Sequence, residues 1–152
     1  MNIDIGSNYS HSHNHLLMER LLLRLVKKWT AGDDMEDALM AARSSNMKGQ
    51  KAIINYLGED HAQVERIRRN MKEYSILLER LYLDKINGCI SVKPSQIGLS
   101  LSYDLCFKNL RATEFCGFTW IDMESSKYTD DTLKLYLELR NHHNIGVASI
   151  CA

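Results

Sequence analysis

Cys89–Leu99 reads CISVKPSQIGL and Phe118–Glu124 reads FTWIDME. Each is a short apolar run that stops abruptly at charge: Lys93 in the first, Asp122 and Glu124 in the second. In a parallel α/β sheet, ligands bind just outside the carboxyl ends of the strands. A cation and an acid at equivalent ends of neighbouring strands are therefore the first candidates for chemistry. Two more runs of the same kind, Lys51–Tyr56 (KAIINY) and Ile145–Ile150 (IGVASI), bring the number of strands to four.

Helical periodicity fills the gaps between them. In His61–Leu83, apolar Val64, Ile67, Met71, Tyr74, Leu78 and Leu81 step by three or four residues, while Arg66, Arg68, Arg69, Lys72 and Glu73 form a solvated face. Asn87-Gly88 turns the chain into the second strand, and Pro94 holds Lys93 extended. Ser102 caps a helix running to Cys116, with Gly117 as its stop. Thr129 caps another, with Asp130 and Asp131 in its first turn and Arg140, His142 and His143 in its last, matching the macrodipole. The remaining tyrosines and tryptophans are assigned to the core.

Upstream, Leu16–Trp29 reads as an amphipathic basic helix that packs on its own domain. Thr30–Asp34 breaks it and supplies caps for a second helix, with Asp34, Glu36 and Asp37 in the first turn and Gly49 beyond its end. Residues 1–15 are expected to be a disordered tail, in which His11, His13 and His15 are incidental and hold no metal.

The order is two helices and then alternating strand and helix. The strands are apolar on both faces (Ile53, Ile54; Ile90, Val92; Trp120, Ile121; Val147), as parallel strands covered on both sides are. Their centres recur about every thirty residues, one βα unit each. An eight-unit barrel needs roughly 250 residues, and this chain supplies about half of one. The fold class expected is α/β, a partial (β/α)8 TIM-like barrel of about four parallel βα units. The competing reading is an open four-stranded α/β sheet; no G-x-G-x-x-G follows the first strand to support its dinucleotide-binding form.

Composition narrows the function. The 152 residues are 45% hydrophobic and carry 19 basic and 19 acidic side chains, so net charge is zero and no basic face recommends nucleic acid as a partner. The longest apolar stretch, Leu16–Val26, is interrupted by Glu19, Arg20 and Arg24 and is too short to span a bilayer, and the polar start holds no secretory signal. Cys89, Cys106, Cys116 and Cys151 lack metal-site spacing and read as reduced core thiols of a cytoplasmic protein.

The runs AGDDMEDAL, AIINYLGE, CISVKPSQIGL, WIDMESSKYTDDTL and NIGVASI, in this order, resemble the N-terminal half of the proline dehydrogenase family, closest to its monofunctional archaeal and bacterial type. The resemblance covers residues 29 to 152. It implies a distorted barrel that carries FAD and oxidises L-proline to Δ1-pyrroline-5-carboxylate by hydride transfer, passing electrons to a quinone or another acceptor. A peripheral membrane contact would follow from a quinone. Lys93 matches the family's active-site lysine, which helps bind the substrate carboxylate, and Asp122 matches an acid of the same polar network beside the flavin. Both are thus the catalytic and cofactor-binding candidates, and metal is not expected. Tyr56, Leu57 and Gly58 match a motif that the family uses through its backbone, and Glu124 is expected to be a loop residue near the mouth. A bottom-up reading alone makes Lys93 and Asp122 an inter-strand ion pair.

The fourth strand departs from the family's VGVxLQAY: Ile150 stands where a flavin-contacting glutamine is expected. The family's later arginines have no counterpart here. The expectation is therefore a truncated portion of a proline dehydrogenase, inactive alone. The alternative is a non-catalytic half-barrel or pseudoenzyme acting through self-association or a complementary chain. Another flavin barrel, of the methylenetetrahydrofolate reductase kind, fits the motifs less well.

Overall fold

A computed structural model describes residues 31, 32, 34–58, 62–113 and 117–148. The readings made for residues 1–30, including the histidine tract, the first helix and the apolar stretch, lie outside the described residues, as do Cys116, Ile150 and Cys151. The chain divides into two units, Met1–Ala38 and Leu39–Ala152.

Helix α1 (Met35–Met47) starts where the acidic run predicts, with Asp34 Oδ1 accepting from the Asp37 amide at 3.0 Å. It ends before Gly49, whose φ of 76° suits a residue without a side chain. Then follow β1 (Ala52–Asn55), α2 (Val64–Leu83), β2 (Gly88–Val92), a 3-10 turn (Pro94–Gln96), α3 (Tyr103–Ala112), β3 (Thr119–Asp122), α4 (Ser126–Leu139) and β4 (Ile145–Ala148).

All three strand pairings are parallel, and the sheet order is β1-β2-β3-β4. An open doubly wound sheet reverses its order at a switch point; this one never does. Crossovers of the usual right hand then place α2, α3 and α4 on the same face, and burial agrees. The register puts Ile54, Ile90, Val92, Thr119, Ile121 and Ile145 on one face. There Ile90, Val92, Thr119 and Ile121 are completely buried, with Ile67, Tyr74 and Leu77 of α2, Cys106 and Leu110 of α3, and Leu135 and Leu139 of α4 completing the core. Each such aliphatic side chain contributes about 2 kcal/mol through burial. The architecture is four parallel strands alternating with helices, wound as in a (β/α)8 barrel.

The opposite face differs from expectation. Ile53, Asn55, Cys89, Ser91, Trp120, Asp122, Gly146 and Ala148 share it by register. Among the described residues no helix covers it: Ile53 is 59% exposed, and Cys89, Trp120, Asp122 and Ala148 are half-buried. The strands are not apolar and covered on both sides; one face is packed and the other is open. Trp120 lies over its register partner Gly146, where an added Cβ would come within 2.7 Å of the indole, and meets Phe118 edge-on at 5.0 Å.

Smaller differences have local causes. The turn before β2 is made at Asp84-Lys85, with Lys85 at φ 53°, while Gly88 is the first residue of the strand and an added Cβ there would meet the Ala52 carbonyl at 3.1 Å. Helix α4 begins a turn before Thr129, with Ser125 extended at its N-cap, because Tyr128, Thr132, Leu135 and Leu139 together make the buried stripe. Asp130 and Asp131 thus lie in the second turn, and His142 and His143 follow the helix rather than ending it. Tyr82, assigned to the core, is 71% exposed. Among the described residues, no helix is long and apolar enough to cross a membrane.

Candidate active site

Asn55, Lys93 and Asp122 stand at the carboxyl ends of β1, β2 and β3. Val92 pairs with Ile121, so the next residues, Lys93 and Asp122, are level on adjacent strands. Lys93 remains extended at φ −92°, ψ 122°, as the following proline requires. Alternation from the buried Val92 therefore turns Lys93 toward the open face, the face of Asp122. Both are half-buried. Asn55 Nδ2 donates to Asp122 Oδ2 at 3.0 Å. β2 lies between these two strands, and the small side chain of Ser91, register partner of Asn55, leaves room for the bond to pass over it.

Behind this rim, the turn after Lys93 is clamped on two sides. Glu124 accepts from the Ser95 amide at 2.8 Å and from Ser95 Oγ at 2.5 Å. It is thus more than a loop residue near the mouth: its carboxylate ties the end of β3 to the turn that follows β2. Gln96, 1% exposed, uses every polar atom. Its Oε1 accepts from Tyr74 Oη at 2.8 Å, and its Nε2 donates to the Tyr56 carbonyl at 2.9 Å and to the Gly58 carbonyl. Its backbone amide donates to the Lys93 carbonyl at 2.9 Å, and its carbonyl accepts from Asn70 Nδ2 at 3.0 Å. The Tyr56–Gly58 segment is thus engaged through its backbone.

Asn55, Ser95 and Gln96 were not singled out in the sequence, and Tyr74 read there as part of a helix's apolar stripe. Asn55 satisfies the same strand-end rule as Lys93 and Asp122. Gln96 carried a weaker signal: a long amide inside an otherwise apolar SQIGL, which must find partners if buried.

Tyr56 packs edge-on against Tyr74, 5.2 Å between ring centres, and its hydroxyl donates to Glu73 at 3.4 Å. Burial first, then the Glu73 charge, pushes the Tyr56 hydroxyl up to about 12, and burial raises Tyr74 as well. A raised folded-state value means that the unfolded chain loses this proton first. The associated stability is complete below about pH 10 and disappears as pH climbs toward 12. Urea midpoints should therefore fall between pH 10 and pH 12, and less steeply in Tyr56→Phe; equal slopes would remove Tyr56 from the account.

The described residues contain no group of three or more His, Cys, Asp or Glu able to hold a metal ion. The chemistry of the open face is that of a surface for a flat conjugated ring. Ile53, Cys89, Trp120 and Ala148 provide an apolar floor, and Asn55, Asp122 and Lys93 provide hydrogen-bonding groups at its edge.

A singly wound parallel α/β array with polar groups gathered at the strand ends is the architecture of barrel enzymes. In sequence the chain is similar to curated proline dehydrogenases. Proline dehydrogenase 1 of Bacillus subtilis (strain 168) is 29% identical over 120 residues, and proline dehydrogenase 2 of the same strain is 23% identical over 121. These matches take in 76% of this chain and 40% of each relative. The chain thus spans about two fifths of the length of the curated relatives it matches. No family model matches. Among solved structures, proline utilization A from Bdellovibrio bacteriovorus inactivated by N-propargylglycine superposes with a TM-score of 0.66 at 18% identity. That superposition covers 77% of this chain and 16% of the other and bears on the fold.

Proposed function

We propose that this chain supplies the proline-binding strand ends of an FAD-dependent proline dehydrogenase, acting in proline catabolism. The observation that supports this best is the level placement of Lys93 and Asp122 on the uncovered face. In this reading Lys93 binds the carboxylate of L-proline as a charge-assisted donor. Asp122, held by Asn55 Nδ2, stands level with Lys93 on the neighbouring strand and completes the polar rim. Trp120 and Ile53 exclude water from one side of the ring site. When bound there, FAD supplies the acceptor for the hydride that leaves proline as Δ1-pyrroline-5-carboxylate forms. Quinone or another acceptor then takes the electrons.

The test is a hybrid in which this chain replaces the matched two fifths of the Bacillus subtilis proline dehydrogenase 1. Proline-dependent dye reduction with added FAD is expected from the hybrid. A folded, flavin-loaded hybrid that leaves proline untouched would count decisively against the assignment.

A further inference from the structure

We infer that Gln96 is a positioning residue for Lys93, an inference that rests on the function proposed above. Lys93 lies at the open end of β2, where its strand has stopped and the chain bends into the Pro94–Gln96 turn. A lysine at such a point keeps its direction only if the turn is fixed. Gln96 fixes it from three elements at once. Its amide holds the Lys93 carbonyl, Tyr74 and Asn70 hold it to α2, and its Nε2 holds the two carbonyls that follow β1. The second carbonyl belongs to Gly58, whose φ of 124° bends the chain back toward Nε2.

A buried primary amide has two donors and one acceptor oxygen, and here two carbonyls and one hydroxyl meet them. No other side chain type of this length offers that set. Glutamate lacks both donors when ionised, and methionine lacks all three groups. Removing the amide would take the donor from the Tyr56 and Gly58 carbonyls and leave the Tyr74 hydroxyl with the longer contact to the Ser91 carbonyl at 3.5 Å, which opens the segment between β1 and α2 and frees the turn beneath Lys93. The role is positioning: Gln96 is buried beneath the rim, and its effect on proline passes through Lys93.

The experiment compares the whole chain with Gln96→Met. Each is acetylated with limiting acetic anhydride, and Lys93 is scored by mass spectrometry against exposed Lys127. The Lys93:Lys127 ratio is expected to shift about threefold as the turn opens locally, with exchange in Ala52–Gly58 accelerated and exchange in Ser126–Leu139 unchanged. In the hybrid, Gln96→Met should raise KM for proline about tenfold while changing kcat much less, as misplacement of a binding group does. Tyr74→Phe, which removes one of the amide's partners and keeps the ring, should shift the same ratio in the same direction by less. It also stands in if Gln96→Met does not fold. An unchanged Lys93:Lys127 ratio overturns the inference, as does a shifted ratio with unaltered KM. A hybrid without proline activity before mutation sinks the function instead, and the acetylation ratio then decides the positioning role alone.

Discussion

Lys93→Ala in the hybrid enzyme is expected to raise KM for proline about 100-fold, with bound flavin retained. Truncating one member of a hydrogen-bonded charge pair costs about 3 kcal/mol, and each 1.4 kcal/mol is about tenfold. The flavin should stay because the open face proposed to hold it, with Trp120, Ile53 and Cys89, is untouched. Steady-state kinetics and the visible flavin band read the two effects separately. Lys93→Arg keeps the charge but replaces a compact ammonium with a longer planar fork, so recovery should be partial. Unaltered proline kinetics in Lys93→Ala would return Lys93 and Asp122 to the reading of a structural ion pair.

The second large effect is on stability. Glu124→Ala should destabilise the whole chain by about 3 kcal/mol, measured as a lower urea midpoint at unchanged slope. The carboxylate accepts from both the amide and the hydroxyl of Ser95, a residue with no solvent exposure. Its removal takes the carboxylate acceptor away from two donors of a buried residue. Glu124→Gln keeps the side-chain length and one acceptor oxygen, and should restore about half of the loss. If Glu124→Ala unfolds at the same urea concentration as the parent, the clamp carries no weight in the fold.

The winding was readable in advance because each strand is a short apolar run of its own, separated by one helical period from the next. The strand-end rule also picked out Lys93 and Asp122, which the register sets level on neighbouring strands, although on the residues alone the pair reads as an inter-strand ion pair. Coverage of the two faces was not readable. Ile53 and Ile54 are chemically the same, and only the register shows that one faces the helices and the other the open side. Gln96 and Glu124 were hidden for a different reason: their partners lie 22 to 40 residues away in sequence, on elements whose relative placement no local pattern reports. The early start of α4 was missed because Thr129 and Asp130 imitate a cap, while the buried stripe that decides the matter begins at Tyr128.

The strictly sequential strand order has a kinetic corollary. Each strand pairs with the one made just before it, so the sheet can grow as the chain leaves the ribosome, with no strand waiting for a distant partner. Loop closure is then taken in short instalments rather than one long one. The Asn55–Asp122 bond, 67 residues apart, departs from this order. It cannot form until β1, β2 and β3 are all in place, so the polar rim is assembled only after the ladder beneath it, and the site is a late product of folding.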